Sequence, residues 1–127
     1  MPAVVCVSKR VAKLSPKRVE VMRSLGAEVI ISGNTQDEAR EVAQELVSSR
    51  GLTLIHPFDD PFIIAGRGTI GLELLEDLPF ISCLLVPLSG GGLISGIALA
   101  VKSADPNIQV IGVSIQNAPV MQSCMKA

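Results

Sequence analysis

A glycine-rich stretch, Ser89-Gly90-Gly91-Gly92-Leu93, contains the residues best suited to chemistry in this sequence. It follows the apolar run 81–86, which reads as a buried strand, and it opens the run 93–103, which reads as a helix. Consecutive glycines let a ligand approach the backbone closely, and the free N–H groups at the start of a helix attract anions. The pattern therefore predicts a phosphate-binding loop, with a flexible strand-to-helix connection as the alternative.

The residues around this loop narrow the kind of phosphate compound that it could bind. A dinucleotide site needs a third glycine where Ser95 stands and an acidic residue after the next strand, where 114–117 contain none. An ATP-binding loop needs lysine and then serine or threonine where Leu93 and Ile94 stand. A nucleotide-binding Rossmann-type domain is therefore poorly supported. A single phosphate group, bound mainly by backbone N–H groups, is the interpretation that remains.

Other reactive side chains have structural explanations that fit better than catalysis. His56 is the only histidine, and no motif ties a nucleophile to it, which favours a hydrogen-bonded histidine at a strand end over a general base. Asp59 and Asp60 precede Pro61, an arrangement typical of a helix cap rather than an acid pair. Lys102 falls at a predicted helix end, where its charge favours the dipole. Solvated surface positions are expected for Lys9, Lys13 and Lys17.

Composition excludes several classes of protein. Eleven basic and twelve acidic residues give a net charge of −1, and three Phe with no Trp or Tyr leave little for bases to stack on, so nucleic-acid binding is not expected. No apolar run reaches the roughly 18–20 residues that span a bilayer, and no charge-first leader is present. Three scattered cysteines favour a reducing compartment. We therefore expect a cytoplasmic protein without a membrane partner.

Short β-rich runs alternate with helical runs along the chain. The predicted strands are 3–7, 27–32, 52–55, 81–86 and 110–115, and the predicted helices are 16–25, 35–50, 61–76 and 93–103, with a further helix after 117. Apolar strands separated by helices predict an α/β fold with a mostly parallel open sheet and flanking helices on both faces.

Three blocks of sequence carry a family resemblance. In chain order they are LGAEV at 25–29, HPFDDP at 56–61 with IAGRGTI at 64–70, and PLSGGGL at 87–93. They resemble the pyridoxal-phosphate-dependent threonine and serine dehydratases, a branch that includes serine racemase, and in detail the dehydratase-like proteins of hydroxyectoine utilisation. The resemblance implies a partial tryptophan-synthase-β-like fold. Residues 1–51 would be part of the small domain, and 52–127 part of the large domain that carries the phosphate loop.

The resemblance also implies a cofactor, pyridoxal 5'-phosphate, whose phosphate would be bound by Ser89, Gly90, Gly91, Gly92 and Leu93. The parent activity would be dehydration of a hydroxy amino acid by a homo-oligomer. The family's Schiff-base lysine motif and its Ser-Gly-Asn-His type loop are absent here. We therefore expect an internal fragment with no catalytic residue of its own, inactive when alone. The alternative is a non-enzymatic α/β phosphate-ligand-binding or interaction module.

Two parts of the sequence depart from the family pattern. Arg67 stands where the family usually has glutamine, which adds a charge near the expected domain junction. Some relatives bind a divalent metal after the fifth strand, at positions that correspond to Ser114, Ala118 and Val120. Because Ser114 and Val120 cannot supply carboxylates, no metal is expected.

Overall fold

The computed structural model describes residues 3–116 and 120–124. The chain divides into two compact units, Met1–Leu54 and Ile55–Ala127. The assignment of 1–51 and 52–127 to a small and a large domain remains a prediction.

The first unit contains two parallel strands and three helices: β1 (Val4–Val7), α1 (Lys9–Leu14), α2 (Pro16–Ser24), β2 (Glu28–Ile31) and α3 (Gln36–Arg50). Val5 of β1 is in register with Val29 of β2. The Thr35 hydroxyl accepts from the Glu38 N–H at 3.2 Å and caps α3, and Gly51 ends this helix in the left-handed region.

The second unit contains α4 (Pro61–Asp77), β3 (Cys83–Pro87), α5 (Gly92–Ala104), β4 (Gln109–Val113) and the short α6 (Val120–Cys124). β3 and β4 pair in parallel, with Leu85 opposite Ile111. The buried core of this unit consists of apolar side chains from β3, α5 and the residue before β4: Val86, Ile97, Val101 and Ile108. These contacts fix α5 against the sheet and so fix the loop between β3 and α5.

Glycines bring α4 and α5 into close contact. A Cβ added to Gly68 would lie 3.0 Å from the Gly96 carbonyl oxygen, and one added to Gly71 would lie 3.0 Å from the Ala100 Cβ. A Cβ on Gly96 would clash with the Ile64 carbonyl oxygen. The backbones can approach this closely only because these positions lack side chains, so these glycines hold α4 against α5.

The predicted α/β class with parallel pairing is confirmed, but three details differ. The strand predicted at 52–55 is wrong, because this apolar run has no neighbouring strand to pair with among the described residues and forms no ladder. The six-residue helix α1 was not anticipated, since its length is too short for a clear apolar period.

The third difference concerns the sheet and its faces. The described strands form two separate two-stranded sheets rather than one open sheet. On β3 and β4 the side chains of Leu85, Ile111 and Val113 are exposed, so the expectation that both faces are covered is wrong for these residues. An apolar strand indicates that both faces can be buried, but it does not identify the chain segment that covers them.

Candidate phosphate-binding site

The loop between β3 and α5 is anchored at both ends. The Leu88 N–H donates to the Val113 carbonyl at 2.8 Å, which continues the β3–β4 pairing past the end of β3. Gly91 is the N-cap of α5 and adopts φ 88°, a left-handed conformation that glycine reaches without strain. The predicted loop residues therefore form the turn that starts α5.

The start of α5 presents unpaired donors. The Ser95 N–H donates to the Gly91 carbonyl at 2.9 Å and closes the first turn. Helix geometry leaves the N–H groups of Gly92, Leu93 and Ile94 without helical acceptors. Because α5 has 13 residues, its aligned peptide dipoles add a partial positive charge at this end. A phosphate dianion has the charge and the acceptor oxygens that this donor set requires.

All five predicted loop residues line one cavity of about 300 Å³. Its other walls are Pro57, Phe58, Arg67 and Pro87. The loop and the segment before α4 thus enclose a space beside the free N–H groups of α5. The binding of a cofactor phosphate by these residues remains a prediction.

The packing and backbone conformation of the loop also require the three glycines, apart from any ligand. A Cβ on Gly90 would lie 2.6 Å from the Phe58 ring, and one on Gly92 would lie 2.5 Å from Arg67 Nη1 and 2.8 Å from the Phe58 carbonyl oxygen. At Gly91 the positive φ already disfavours other residues. A glycine substitution would therefore disturb packing as well as any ligand contact, so other residues must serve to test binding.

His56 and Asp60 shape the segment that carries Phe58. His56 Nδ1 accepts hydrogen bonds from the Asp59 N–H at 2.8 Å and, more weakly, from the Phe58 N–H at 3.4 Å. The His56 ring also packs edge-on against the Phe58 ring, with 4.6 Å between the ring centroids. Asp60 Oδ1 accepts from the N–H groups of Phe62 and Ile63 and caps α4. The predictions of a hydrogen-bonded histidine and a capping aspartate are confirmed, although no strand precedes His56.

Arg67 lies closer to the loop than the sequence suggested. It projects from α4, its Nη2 donates to the Pro57 carbonyl, and its Nη1 lies beside Gly92. It is the sole charged residue in the stretch 61–72, at the N-terminal side of α4. That isolated charge on an apolar helix was the available sequence indication of a role at the cavity.

No lysine of the described residues lines this cavity. Lys102 Nζ donates to the carbonyls of Pro106 and Ile108 at 3.1 and 3.0 Å, roughly 15 Å along α5 from Gly92. The N-terminal lysines that were predicted to be solvated are exposed: Lys9, Lys13 and Lys17. Over residues 3–116 and 120–124 no three His, Cys, Asp or Glu side chains cluster as metal ligands would. Ala118 lies outside these residues, and the expectation of no metal stays a prediction.

The chain matches a family model described as pyridoxal-phosphate dependent enzyme over residues 1–127, and it belongs to this family. Enzymes of this family depend on pyridoxal phosphate, and the donor set at the start of α5 fits the phosphate of that cofactor.

Individual proteins are similar to this chain in sequence or in structure. The chain is 47% identical over 126 residues to an L-threonine ammonia-lyase of Thermotoga maritima, covering 99% of this chain and 31% of that protein. The structure is similar to maize serine racemase, with a TM-score of 0.87 and 34% identity, over 94% of this chain and 35% of that one. It is also similar to the processed threonine deaminase isoform 2 of Solanum lycopersicum, with a TM-score of 0.85 and 37% identity, over 98% and 36%.

The chain thus spans about a third of the length of the relatives that it matches. A search of the helices in the described part of the chain found none with the length and apolar character of a membrane span.

Proposed function

We propose that this chain supplies the phosphate-binding part of a pyridoxal-phosphate-dependent lyase that acts on a hydroxy amino acid such as threonine or serine. The observation that carries the proposal is the cavity at the start of α5, lined by Ser89 to Leu93, in a chain of this family. Relatives named threonine ammonia-lyase and threonine deaminase support the substrate class.

Each part of the cavity would have a distinct task. The N–H groups of the loop and of the first turn of α5 would donate to the phosphate oxygens, and the Ser89 hydroxyl would add a donor at the exposed rim. The Phe58 ring and Pro57 would shield one side of the phosphate from water. When bound, the cofactor supplies an electron sink that stabilises a carbanion at the substrate α-carbon.

We further propose that this chain alone does not catalyse the reaction. The family's Schiff-base lysine motif does not occur in the sequence, and Lys102 is occupied at the far end of α5. The pure chain, incubated with pyridoxal phosphate and threonine or serine, is expected to form no 2-oxo acid. Steady formation of 2-oxobutyrate or pyruvate would contradict this.

Ligand binding tests the central part of the proposal. Isothermal titration with pyridoxal phosphate, inorganic phosphate and pyridoxal would compare the cofactor with its phosphate and with the ring alone. We expect pyridoxal phosphate and phosphate to compete for one site, with pyridoxal phosphate the tighter ligand, and pyridoxal, which lacks the phosphate, to bind far more weakly than either. Equal binding of pyridoxal and pyridoxal phosphate would overturn the proposal. Equal binding of phosphate and pyridoxal phosphate would favour a non-enzymatic phosphate-binding module.

A matched pair of variants assigns the site to the loop. Ser89→Ala removes one neutral donor and is expected to weaken binding about fivefold, the effect of losing roughly 1 kcal/mol. Ser103→Ala makes the same change at an exposed position near the other end of α5 and should leave affinity unchanged. Equal affinities for both variants and the parent chain would argue against a role for Ser89.

A further inference from the structure

Arg67 is a cation placed where a helix repels cations. Its Nη1 lies beside Gly92, the first residue of α5, where the helix dipole is positive. Within the part of the chain that the structure describes, Glu28 and Arg50 form an ion pair, and no carboxylate pairs with Arg67. A cation at the positive end of a helix is unfavourable unless an anion lies between them. This arrangement therefore favours an anion in the cavity.

The guanidinium is also held in a fixed orientation. Its Nη2 donates to the Pro57 carbonyl, and the group lines the same cavity as the loop. A guanidinium has five N–H donors, and the Pro57 carbonyl is its one hydrogen-bond partner in the described part of the chain. Free donors on a planar group match two phosphate oxygens at once, which a single backbone N–H cannot do.

From these observations we propose that Arg67 is a direct phosphate ligand that acts together with the N–H groups of α5. This inference rests on the proposed function, because it takes the cavity to be a phosphate site. It adds a charged anchor from α4 to a site that would otherwise depend on neutral donors. A phosphate dianion would then be attracted both by the Arg67 charge on α4 and by the positive end of the α5 dipole. Glycine contacts hold these two helices together.

The test compares three variants for affinity and for stability without ligand. Arg67→Gln removes the charge and leaves a neutral amide donor on a shorter side chain. Arg67→Lys retains the charge but loses the planar fork. Arg40→Gln makes the same change in net charge at an exposed position on α3. Each variant is titrated with inorganic phosphate and pyridoxal phosphate, and its melting temperature is recorded without ligand.

We expect Arg67→Gln to bind phosphate about tenfold more weakly or worse, the size of a lost charge-assisted hydrogen bond. Arg67→Lys should fall between Arg67→Gln and the parent chain, and Arg40→Gln should match the parent. Without ligand, Arg67→Gln should melt close to the parent temperature, because relief of the repulsion at the start of α5 offsets the loss of the Pro57 hydrogen bond.

Two results would overturn the inference, and they differ from each other. If Arg67→Gln binds phosphate like the parent chain, with or without a lower melting temperature, Arg67 has only a structural role and the proposed function survives. If the parent chain itself binds neither phosphate nor pyridoxal phosphate, the proposed function fails together with the inference.

Discussion

At the level of single residues, the loop glycines have two reasons to lack side chains. Phe58 and Arg67 occupy the space that a side chain on Gly90 or Gly92 would need, and the same two residues line the cavity. The glycines are visible in the sequence as a run of three. Their neighbours are not, because more than 20 residues separate Arg67 from the loop and no local pattern indicates which helix face meets it.

A prediction about His56 concerns the segment that carries Phe58. His56→Ala removes the acceptor of the Asp59 N–H, and we expect a loss of about 1 kcal/mol in the free energy of unfolding. His56→Asn places an amide oxygen near the former Nδ1 and should recover most of the loss. Urea unfolding of both variants measures this. Equal losses would show that ring contact with Phe58, rather than the hydrogen bond, is what matters.

A second residue-scale prediction concerns Cys6. Partial burial, and then the carboxylate of Glu28, raise the pKa of the Cys6 thiol above its ordinary value of 9.0, while Arg50 opposes the change. A thiol that stays protonated reacts slowly, so iodoacetamide at pH 8 should modify Cys6 more slowly than the exposed Cys83.

The cause of this slow reaction can be separated by mutation. Glu28→Gln removes the negative charge and should speed alkylation of Cys6, whereas Glu41→Gln, an exposed change on α3, should not. Peptide mass spectrometry over a series of times gives both rates. An unchanged Cys6 rate in Glu28→Gln would mean that burial alone determines its reactivity.

At the level of elements, caps and helix ends could be predicted well, because their causes are local. Asp60 accepts from the N–H groups of Phe62 and Ile63, as its position before Pro61 indicated, and the helix predicted to end at residue 50 ends there. The prediction of a strand at 52–55 was wrong because strand formation depends on a distant partner strand. The close approach of α4 and α5 also depends on both helices together and was not predicted.

That close approach supplies an element-scale prediction. Gly96→Ala adds a Cβ against the Ile64 carbonyl and the Gly68 N–H, and we expect a loss of about 1–3 kcal/mol in the free energy of unfolding. Gly66→Ala, in α4, meets nothing within 4 Å and should gain about 0.5–1 kcal/mol from helix propensity. Thermal unfolding of both variants decides the matter. A higher free energy of unfolding in Gly96→Ala would show that α4 and α5 can move apart without a loss of stability.

At the level of the whole molecule, apolar surface remains exposed on the described residues. Phe62 and Phe80 are 87% and 96% exposed, and Leu85 on β3 is 69% exposed. Side chains of this kind are usually covered in a stable protein, and large apolar patches favour association. The sequence could predict that these positions are apolar, but burial of a strand face depends on which segment covers it.

This surface predicts that the pure chain self-associates. Sedimentation velocity over a concentration series should show species larger than the monomer, and Leu85→Lys on the exposed face of β3 should reduce them. Ser103→Lys, at an exposed polar position on α5, adds the same charge without removing apolar surface and serves as the matched control. A monomer at every concentration would contradict this prediction.

The phosphate site proposed at the start of α5 is tested most directly by titrating the isotopically labelled chain with phosphate. The amide resonances are followed by two-dimensional NMR. If the start of α5 binds phosphate, the resonances of Ser89 to Ile94 shift with one saturable curve, and pyridoxal phosphate shifts the same set. Resonances of exposed basic residues such as Lys13 should not follow that curve. Loop resonances that stay unchanged, or shifts spread over the basic surface without saturation, would contradict the assignment of a phosphate site to this loop.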